Sequence, residues 1–273
     1  MPLQTEINSQ NRKFWDELCG TPLAKSLGVT DASPSSLMRF DDWYFNFYPY
    51  LFNEIPFQNL SGKRVLEVGL GYGTVGQRLA EEGASYIGLD IAWGPVAMMR
   101  HRLRQIGNEG EALQGSILDC GFVDHAFDSV VAIGSYHHTG DLQGALDQTY
   151  RILKPGGTAY IMVYNAYSYR RFLRTPYSAT KYFIWENFHY GNPPTLTDRE
   201  RGQYDKSEDG RAAPHTVFTS SEQIKGMCRH WASVSIRREN IAAEGPFLIV
   251  PRKTALRYFG RKLGLDLYCT LTK

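Results

Sequence analysis

The chain has 273 residues, 42% of them hydrophobic and 21% charged, an ordinary globular balance that excludes a disordered or fibrous chain. Thirty basic against 28 acidic residues leave a net charge of +2, so no global field marks a nucleic-acid or membrane binder. Aromatic residues reach 13%, with 17 tyrosines, which points to aromatic pockets as well as core.

Cys19, Cys120, Cys228 and Cys269 are scattered, without the paired spacing of a zinc site or a redox dithiol, and read as isolated thiols of a reducing compartment. The N-terminus lacks an apolar signal-peptide core, and no run approaches the ~18 apolar residues of a membrane span. The expectation is a cytoplasmic chain.

Residues 1–60 carry the aromatic segment Arg39–Phe57, expected to be helical and interrupted near Pro49. Val65 to Val68 is a short apolar strand stopped by Gly69, and Thr74 to Glu82 has helical periodicity through Val75, Leu79 and Ala80. "SYIGLD", ending at Asp90, is a second strand, followed by a helix from about Pro95 to Gln105. "EALQGS" is a third strand and Phe127 to Ser135 a buried fourth. Asp141 to Leu153 is a helix that Lys154-Pro155-Gly156-Gly157 ends, and Thr158 to Tyr164 is a fifth strand. Residues 167–218 break the rhythm as an insertion, a lid or a peripheral ornament. A capped helix then begins near Thr219 or Ser220, and "ASVSIRREN" and "LDLYCTLTK" are closing strands. Between them Arg252 to Gly264 is a basic amphipathic helix, read as a solvated face on a helix packing through Leu256, Phe259 and Leu263. Strands alternating with helices at this spacing imply βαβ units, right-handed crossovers and a parallel sheet, an α/β fold.

The stretch Gly69-Leu70-Gly71-Tyr72-Gly73-Thr74-Val75-Gly76 has two readings. From Gly71 it spells G-x-G-x-x-G, with Asp90 downstream, as a dinucleotide fold requires. From Glu67 it spells E-x-G-x-G-x-G. A carboxylate within an apolar strand is costly unless paired, and makes sense beside a cationic ligand such as S-adenosylmethionine, which has no pyrophosphate to cradle. Asp90 suits either ligand, since it can accept from both ribose hydroxyls.

"VLEVGLGYG", "GLDIA", "FDSVVAIGSYHHTGD" and "RILKPGGTAYIMVYN" decide between them. In order and spacing they resemble the class I S-adenosylmethionine-dependent methyltransferases, in the broad small-molecule branch with "HH" after the fourth strand. The resemblance covers Arg64 to Asn165 well and the rest loosely. It implies a Rossmann-like, mostly parallel sheet of seven strands with helices on both faces and an antiparallel last strand. The whole chain then reads as one methyltransferase domain: a helical cap over 1–60, a cofactor-binding core over 61–166, an inserted lid over 167–218, and the closing part of the sheet over 219–273. By that resemblance Glu67, Gly69, Gly71, Tyr72 and Gly73 line the methionine end of the cofactor. Asp90 binds the ribose and Ile91 packs on adenine. Gly115-Ser116 replaces the family's usual Gly-Asp, which leaves Ser116, with Ile117 beside it, a weaker acceptor at the adenine. Gly134 and Ser135 stand near the sulfonium.

Methyl transfer from a sulfonium is an in-line displacement, so positioning does much of the work, while an alcohol or ammonium acceptor must also lose a proton. His137 and His138 follow the fourth strand at the sheet's carboxyl edge, where open α/β folds bind ligands, and are candidate bases against the plainer role of orienting the loop. His215 joins them if its loop folds back over the pocket. Adjacent histidines seldom converge on one ion, and no other ligand cluster is near in sequence, so no metal is expected. Tyr44 and Tyr48, with Phe14 and Trp15 behind them, are candidate substrate contacts from the cap. Tyr164, Tyr167 and Arg170 are candidates after the fifth strand, Arg170 for an anionic group. The expected function is transfer of a methyl group to an O or N atom of a small, metabolite-like substrate. The rivals are a methyltransferase for RNA or protein and an NAD(P)-dependent oxidoreductase built on Gly71, Gly73 and Gly76. No nucleic-acid partner is expected, and a homo-oligomer is compatible with the sequence.

Overall fold

The computed structural model describes residues 3–273. Short runs of branched and aromatic residues, each punctuated by glycine or proline, pair into one sheet. Its strands are β1 (Arg64–Val68), β2 (Ser85–Asp90), β3 (Glu111–Gln114), β4 (Phe127–Ile133), β5 (Leu153–Tyr164), β6 (Ser233–Glu239) and β7 (Asp266–Thr272). The seven strands lie in the order β3-β2-β1-β4-β5-β7-β6, and β7 alone runs antiparallel to its neighbours. β1 and β4 are central and buried on both faces, which is why they read as continuous apolar runs rather than alternating ones.

Helices cover both faces. On one face Leu66, Val130, Ala132 and Ile161 pack with α7 (Leu142–Ile152) and α11 (Ser221–Met227). On the other Val65, Val131 and Tyr268 pack with α5 (Thr74–Glu81) and α6 (Trp93–Gln105). Before β1 come α1 (Gln4–Phe14), α2 (Thr21–Ser26), α3 (Pro34–Phe47) and α4 (Leu51–Glu54). The break between α3 and α4 falls at Tyr48, with φ −113° and ψ 58°, because the ring of Pro49 drives the preceding residue out of the helical region. After β5 the insertion forms α8 (Tyr169–Arg174), α9 (Pro176–Phe188) and α10 (Asp198–Arg201). Between β6 and β7 the chain forms α12 (Arg252–Ala255), a π-helical turn Leu256–Gly260 and α13 (Arg261–Leu263).

The helix expected over Arg252–Gly264 is interrupted by that π-helical turn, and of its expected packing residues Phe259 and Leu263 are exposed. A boundary differs from the sequence reading as well. Lys154–Gly157 does not stand between helix and strand but belongs to β5, which begins at Leu153. The ladder slips between Phe127 and Ser129, Gly156 adopts φ +75°, and its N–H bonds the carbonyl of Lys273. A bulge at the start of β5 has the same Pro-Gly-Gly signature as a helix stop.

The N-terminal region is fastened to the core by charge as well as packing. The Arg102 side chain on α6 is fully buried and holds the Asp41 carboxylate of α3 by two bonds of 2.7 and 2.9 Å. Gln77 accepts a third bond from Arg102, and the Thr74 hydroxyl donates to Asp41. Removing one partner of such a pair leaves a buried charge without compensation, which costs about 3 kcal/mol or more. Asp41→Ala is therefore expected to lower the unfolding free energy by about 3 kcal/mol in urea titrations. A loss below ~1 kcal/mol would mean that the ion pair does not hold the cap.

Candidate functional site

The carboxyl ends of β1, β2, β4 and β5 open into a cavity of about 600 Å³. Its floor is the turn after β1. Gly69 and Gly71 have φ of +85° and +49°, and Gly73, at +77°, is the N-cap residue of α5. At Gly69 a Cβ would also lie 2.4 Å from that of Ser135, whose hydroxyl donates to the Val68 carbonyl, so the two loops close on each other only over glycine.

Two carboxylates reach this floor. Asp90 accepts the N–H of Leu70 at 2.8 Å and of Ala92 at 2.9 Å, one on each oxygen, which fixes it across the mouth of β1 and β2. Burial outweighs those bonds and pushes its pKa up to about 6. Glu67, in the middle of β1, accepts among the described residues only the Tyr86 hydroxyl, at 2.5 Å. Burial pushes it up to about 8. This pair accounts for Gly76, where a Cβ would lie 2.4 Å from both the Glu67 carboxylate and the Tyr86 hydroxyl. The third glycine of the G-x-G-x-x-G pattern makes room for a carboxylate.

The other expected floor residues lie around the same space. Tyr72 stacks on Phe40 at 4.4 Å, and Ile91, Ser116, Ile117, Gly134 and Ser135 line the wall. The Ser116 oxygen already accepts the Leu118 N–H, which leaves its hydroxyl proton to donate.

The roof comes from distant segments. Tyr44 and Tyr48 of the cap line it, their rings 4.9 Å apart, as does Trp15, 4.7 Å from the ring of His138. The insertion supplies Tyr204, Asp205, Lys206 and Ser207. Cap and insertion meet where the Glu208 N–H donates to Glu17 at 2.7 Å and the Lys25 ammonium pairs with Glu208.

At the far wall His138, Asp205 and Tyr164 form a connected group. The Nδ1 of His138 lies 2.7 Å from the carbonyl of His215, an acceptor only, so Nδ1 carries the proton and Nε2 presents a lone pair. Nε2 lies 3.5 Å from the Asp205 carboxylate, to which the Tyr164 hydroxyl donates at 2.9 Å. Burial holds His138 below and Asp205 above their ordinary pKa values, and each charge opposes that shift in the other. Asn11 of α1 donates to the His138 carbonyl at 2.7 Å and seats the loop.

Four expected site residues stand elsewhere. His137 is fully buried with its ring 3.9 Å from that of Tyr164, outside the cavity, and burial holds it neutral. His215 serves through its carbonyl, while its side chain does not line the cavity. Tyr167 turns outward to Glu186. Arg170 pairs with Glu244 and lies 4.8 Å over the Tyr204 ring, so it backs the wall and faces no anion. The fold also brings Asp205 to the two adjacent histidines, a neighbour that sequence distance hides. His137, His138 and Asp205 each offer a donor atom within 4.8 Å of the others, the donor types a divalent metal takes. Asp205 had no local signal, since it lies in a polar stretch indistinguishable from a solvated loop.

Residues 65–157 match the methyltransferase domain family. The ubiquinone biosynthesis O-methyltransferase of Vibrio atlanticus is 30% identical over 109 residues, 40% of this chain and 46% of that protein. The demethylmenaquinone methyltransferase of Thermus thermophilus is 32% identical over 102 residues, 37% of this chain and 46% of that protein. The chain thus spans about half the length of the curated relatives it matches. A solved S-adenosylmethionine-dependent methyltransferase from Mesorhizobium loti shares the fold, with a TM-score of 0.52 over 83% of this chain and 97% of that one at 14% identity.

The buried carboxylates make stability depend on pH. Folded Glu67 keeps its proton to about 8, whereas an unfolded glutamate loses it near 4.5. Between those values unfolding releases a proton, so stability falls as pH rises. Asp266, pushed up to about 7, acts in the same direction. The buried histidines oppose this only below their ordinary value of 6.5. The denaturation midpoint of the ligand-free chain is expected to fall between roughly pH 6.5 and 8, and Glu67→Gln to flatten that fall. An unchanged slope in Glu67→Gln would mean that Glu67 ionises as freely as in water.

Proposed function

We propose that this chain, whose residues 65–157 form a class I S-adenosylmethionine-dependent methyltransferase domain, transfers a methyl group to an oxygen or nitrogen atom of a small molecule in the cytoplasm. The observation that carries the reading is the pair of buried carboxylates, Glu67 and Asp90, flanking a glycine turn at the carboxyl edge of the sheet. A sulfonium cofactor with an ammonium group supplies an electrophilic methyl and two cationic centres. Glu67 and Asp90 offer charge of the complementary sign, and Asp90 keeps acceptor capacity beyond its two backbone bonds. Ser116 would meet the adenine as a donor. A pyrophosphate fits this floor poorly, because the Glu67 carboxyl group occupies the space behind Gly76 and, protonated to about 8 without a cation beside it, gains nothing from an anion.

In this reading His138 receives the acceptor's proton. Its Nδ1–H is committed to the His215 carbonyl, so only Nε2 can take a proton, and the resulting imidazolium would lie beside Asp205. Tyr164 holds that carboxylate in place by donating to it. Trp15, Tyr44, Tyr48 and Tyr204 exclude water and present aromatic faces to the acceptor. The named activities of the relatives from Vibrio and Thermus, on quinone precursors, support an apolar ring-bearing substrate. Neither a nucleic-acid substrate nor a partner chain enters this mechanism.

Calorimetric titration with S-adenosylhomocysteine is expected to give micromolar affinity, weakened about 10-fold or more by Asp90→Ala. Absence of binding, with NADH bound instead, would replace the methyltransferase reading by an oxidoreductase. Once an acceptor is found with labelled methyl donor, His138→Gln should lower kcat about 100-fold and leave S-adenosylhomocysteine affinity within a few-fold. Asp205→Asn should move the acidic limb of the kcat profile to lower pH, because the carboxylate raises the His138 pKa. A limb that stays in place would remove His138–Asp205 from the proton path.

A further inference from the structure

Large apolar side chains exposed on this molecule concentrate in two segments, 172–190 and 248–263. On α8 and α9, Phe172, Leu173, Phe183 and Phe188 are exposed, and after β6 Leu248 and Ile249 are 68% and 92% exposed. Contacts join the two segments into one surface. Phe247 packs on Tyr169 at 4.9 Å and on Phe259 at 5.4 Å, and a Cβ at Gly245 would lie 2.9 Å from a Leu173 methyl. Tyr167 bridges Phe172 and Phe183, whose ring lies 6.2 Å from that of Phe188. Monomeric proteins rarely expose a contiguous apolar patch of this extent without an interaction to serve.

The charge on the same segments is one-sided. Among the described residues Lys181, Lys253, Arg257 and Lys262 are exposed and have no ion-pair partner. Residues 245–264 contain no acid, and 169–190 contain only Glu186, which is occupied by Tyr167 and Ser220. A chain with 30 basic and 28 acidic residues has set aside a face without free carboxylates. Segments that carry exposed apolar and aromatic side chains together with unpaired bases match an interface with an acyl boundary beneath anionic headgroups. A second copy would set like charges against each other. None of the described helices is long and apolar enough to cross a membrane, so the contact is peripheral.

We propose that the face formed by α8, α9 and residues 245–263 docks this protein on anionic lipid bilayers. Its α8 and α9 belong to the insertion that also supplies Tyr204 and Asp205 to the cavity roof, and Arg170 of α8 lies 4.8 Å over the Tyr204 ring, so docking brings the roof near the lipid surface. The proposal does not rest on the methyl-transfer reading.

The test is flotation of the full chain with vesicles of phosphatidylcholine alone and of phosphatidylcholine mixed with phosphatidylglycerol. Binding is expected to the mixed vesicles, falling about 10-fold or more when salt is raised to ~0.5 M. The double variant Leu248→Ser, Ile249→Ser and the triple variant Lys253→Gln, Arg257→Gln, Lys262→Gln should each weaken it about 10-fold, with unchanged thermal midpoints. These exposed positions have no packing role that would unfold the chain. Failure to bind mixed vesicles would overturn the proposal, and so would binding that ignores the charge variants. Self-association in sedimentation velocity that Leu248→Ser abolishes would assign the face to a second copy instead.

Discussion

A carboxylate buried in the central strand, satisfied by a single phenol, constrains much of the molecule. Glu67 and Tyr86 lie on adjacent strands, with Glu67 paired in register to Gly88 and Tyr86 to Val65, so the Tyr86 hydroxyl reaches along the ladder from the pair two residues back. The space this pair fills dictates glycine at two positions. A Cβ on Gly76 would strike both groups at 2.4 Å, and one on Gly88 would lie 2.7 Å from the hydroxyl. Beside this pair α5 can approach the sheet only because Gly76 has no side chain, and its first turn is thereby held at the cavity floor. A strand that could have been wholly apolar instead carries a carboxyl group whose ionisation is held back to about 8. Burial on that scale is destabilising in the ligand-free chain and favours a cationic occupant.

The rest of the cavity depends on segments that the core does not itself specify. The N-terminal helices are held by the Arg102–Asp41 pair and by Asn11, which donates to the loop bearing His138. The insertion is held by Arg170, which pairs with Glu244 and backs Tyr204. Arg171 packs against Phe218 at 4.5 Å and Tyr182 at 5.5 Å. Two consecutive arginines thus serve as internal braces, and the cavity they support is left with the carboxylates of Glu17, Asp90 and Asp205, beside the protonated Glu67, against the ammonium of Lys206. An anionic acceptor would meet net repulsion there, whereas a neutral or cationic one would not.

The floor of the site was legible because local rules generate it. Gly69, Gly71 and Gly73 announce a turn that needs positive φ, and Asp90 terminates a strand whose neighbours in the sheet follow from βαβ handedness. The cap's break at Pro49 follows from proline sterics in the same way. The wall was legible only in part. Tyr164, Tyr167 and Arg170 stand within one short segment and look alike as candidates, yet only Tyr164 faces the cavity. β5 ends at Tyr164, and the turn into α8 swings the next residues onto Glu186 and Glu244. His137 and His138 differ by one position, which is enough to send one ring behind Tyr164 and leave the other on the wall.

By itself the sequence determined the alternation of strands and helices, the glycine turn, the buried acid in the first strand and the acid that ends the second. Each is a matter of near neighbours: periodicity, backbone freedom, and the free-energy cost of a carboxylate among apolar residues. Only the tertiary structure decided what meets at the open end of the sheet. Asp205 reaches His138 from far along the chain, Trp15 covers the same ring, and Gly76 serves a carboxyl–phenol pair instead of a phosphate. Such meetings are set by how the cap and the insertion close over the core. That closure depends on long-range packing and paired charges, which no local pattern of residues encodes.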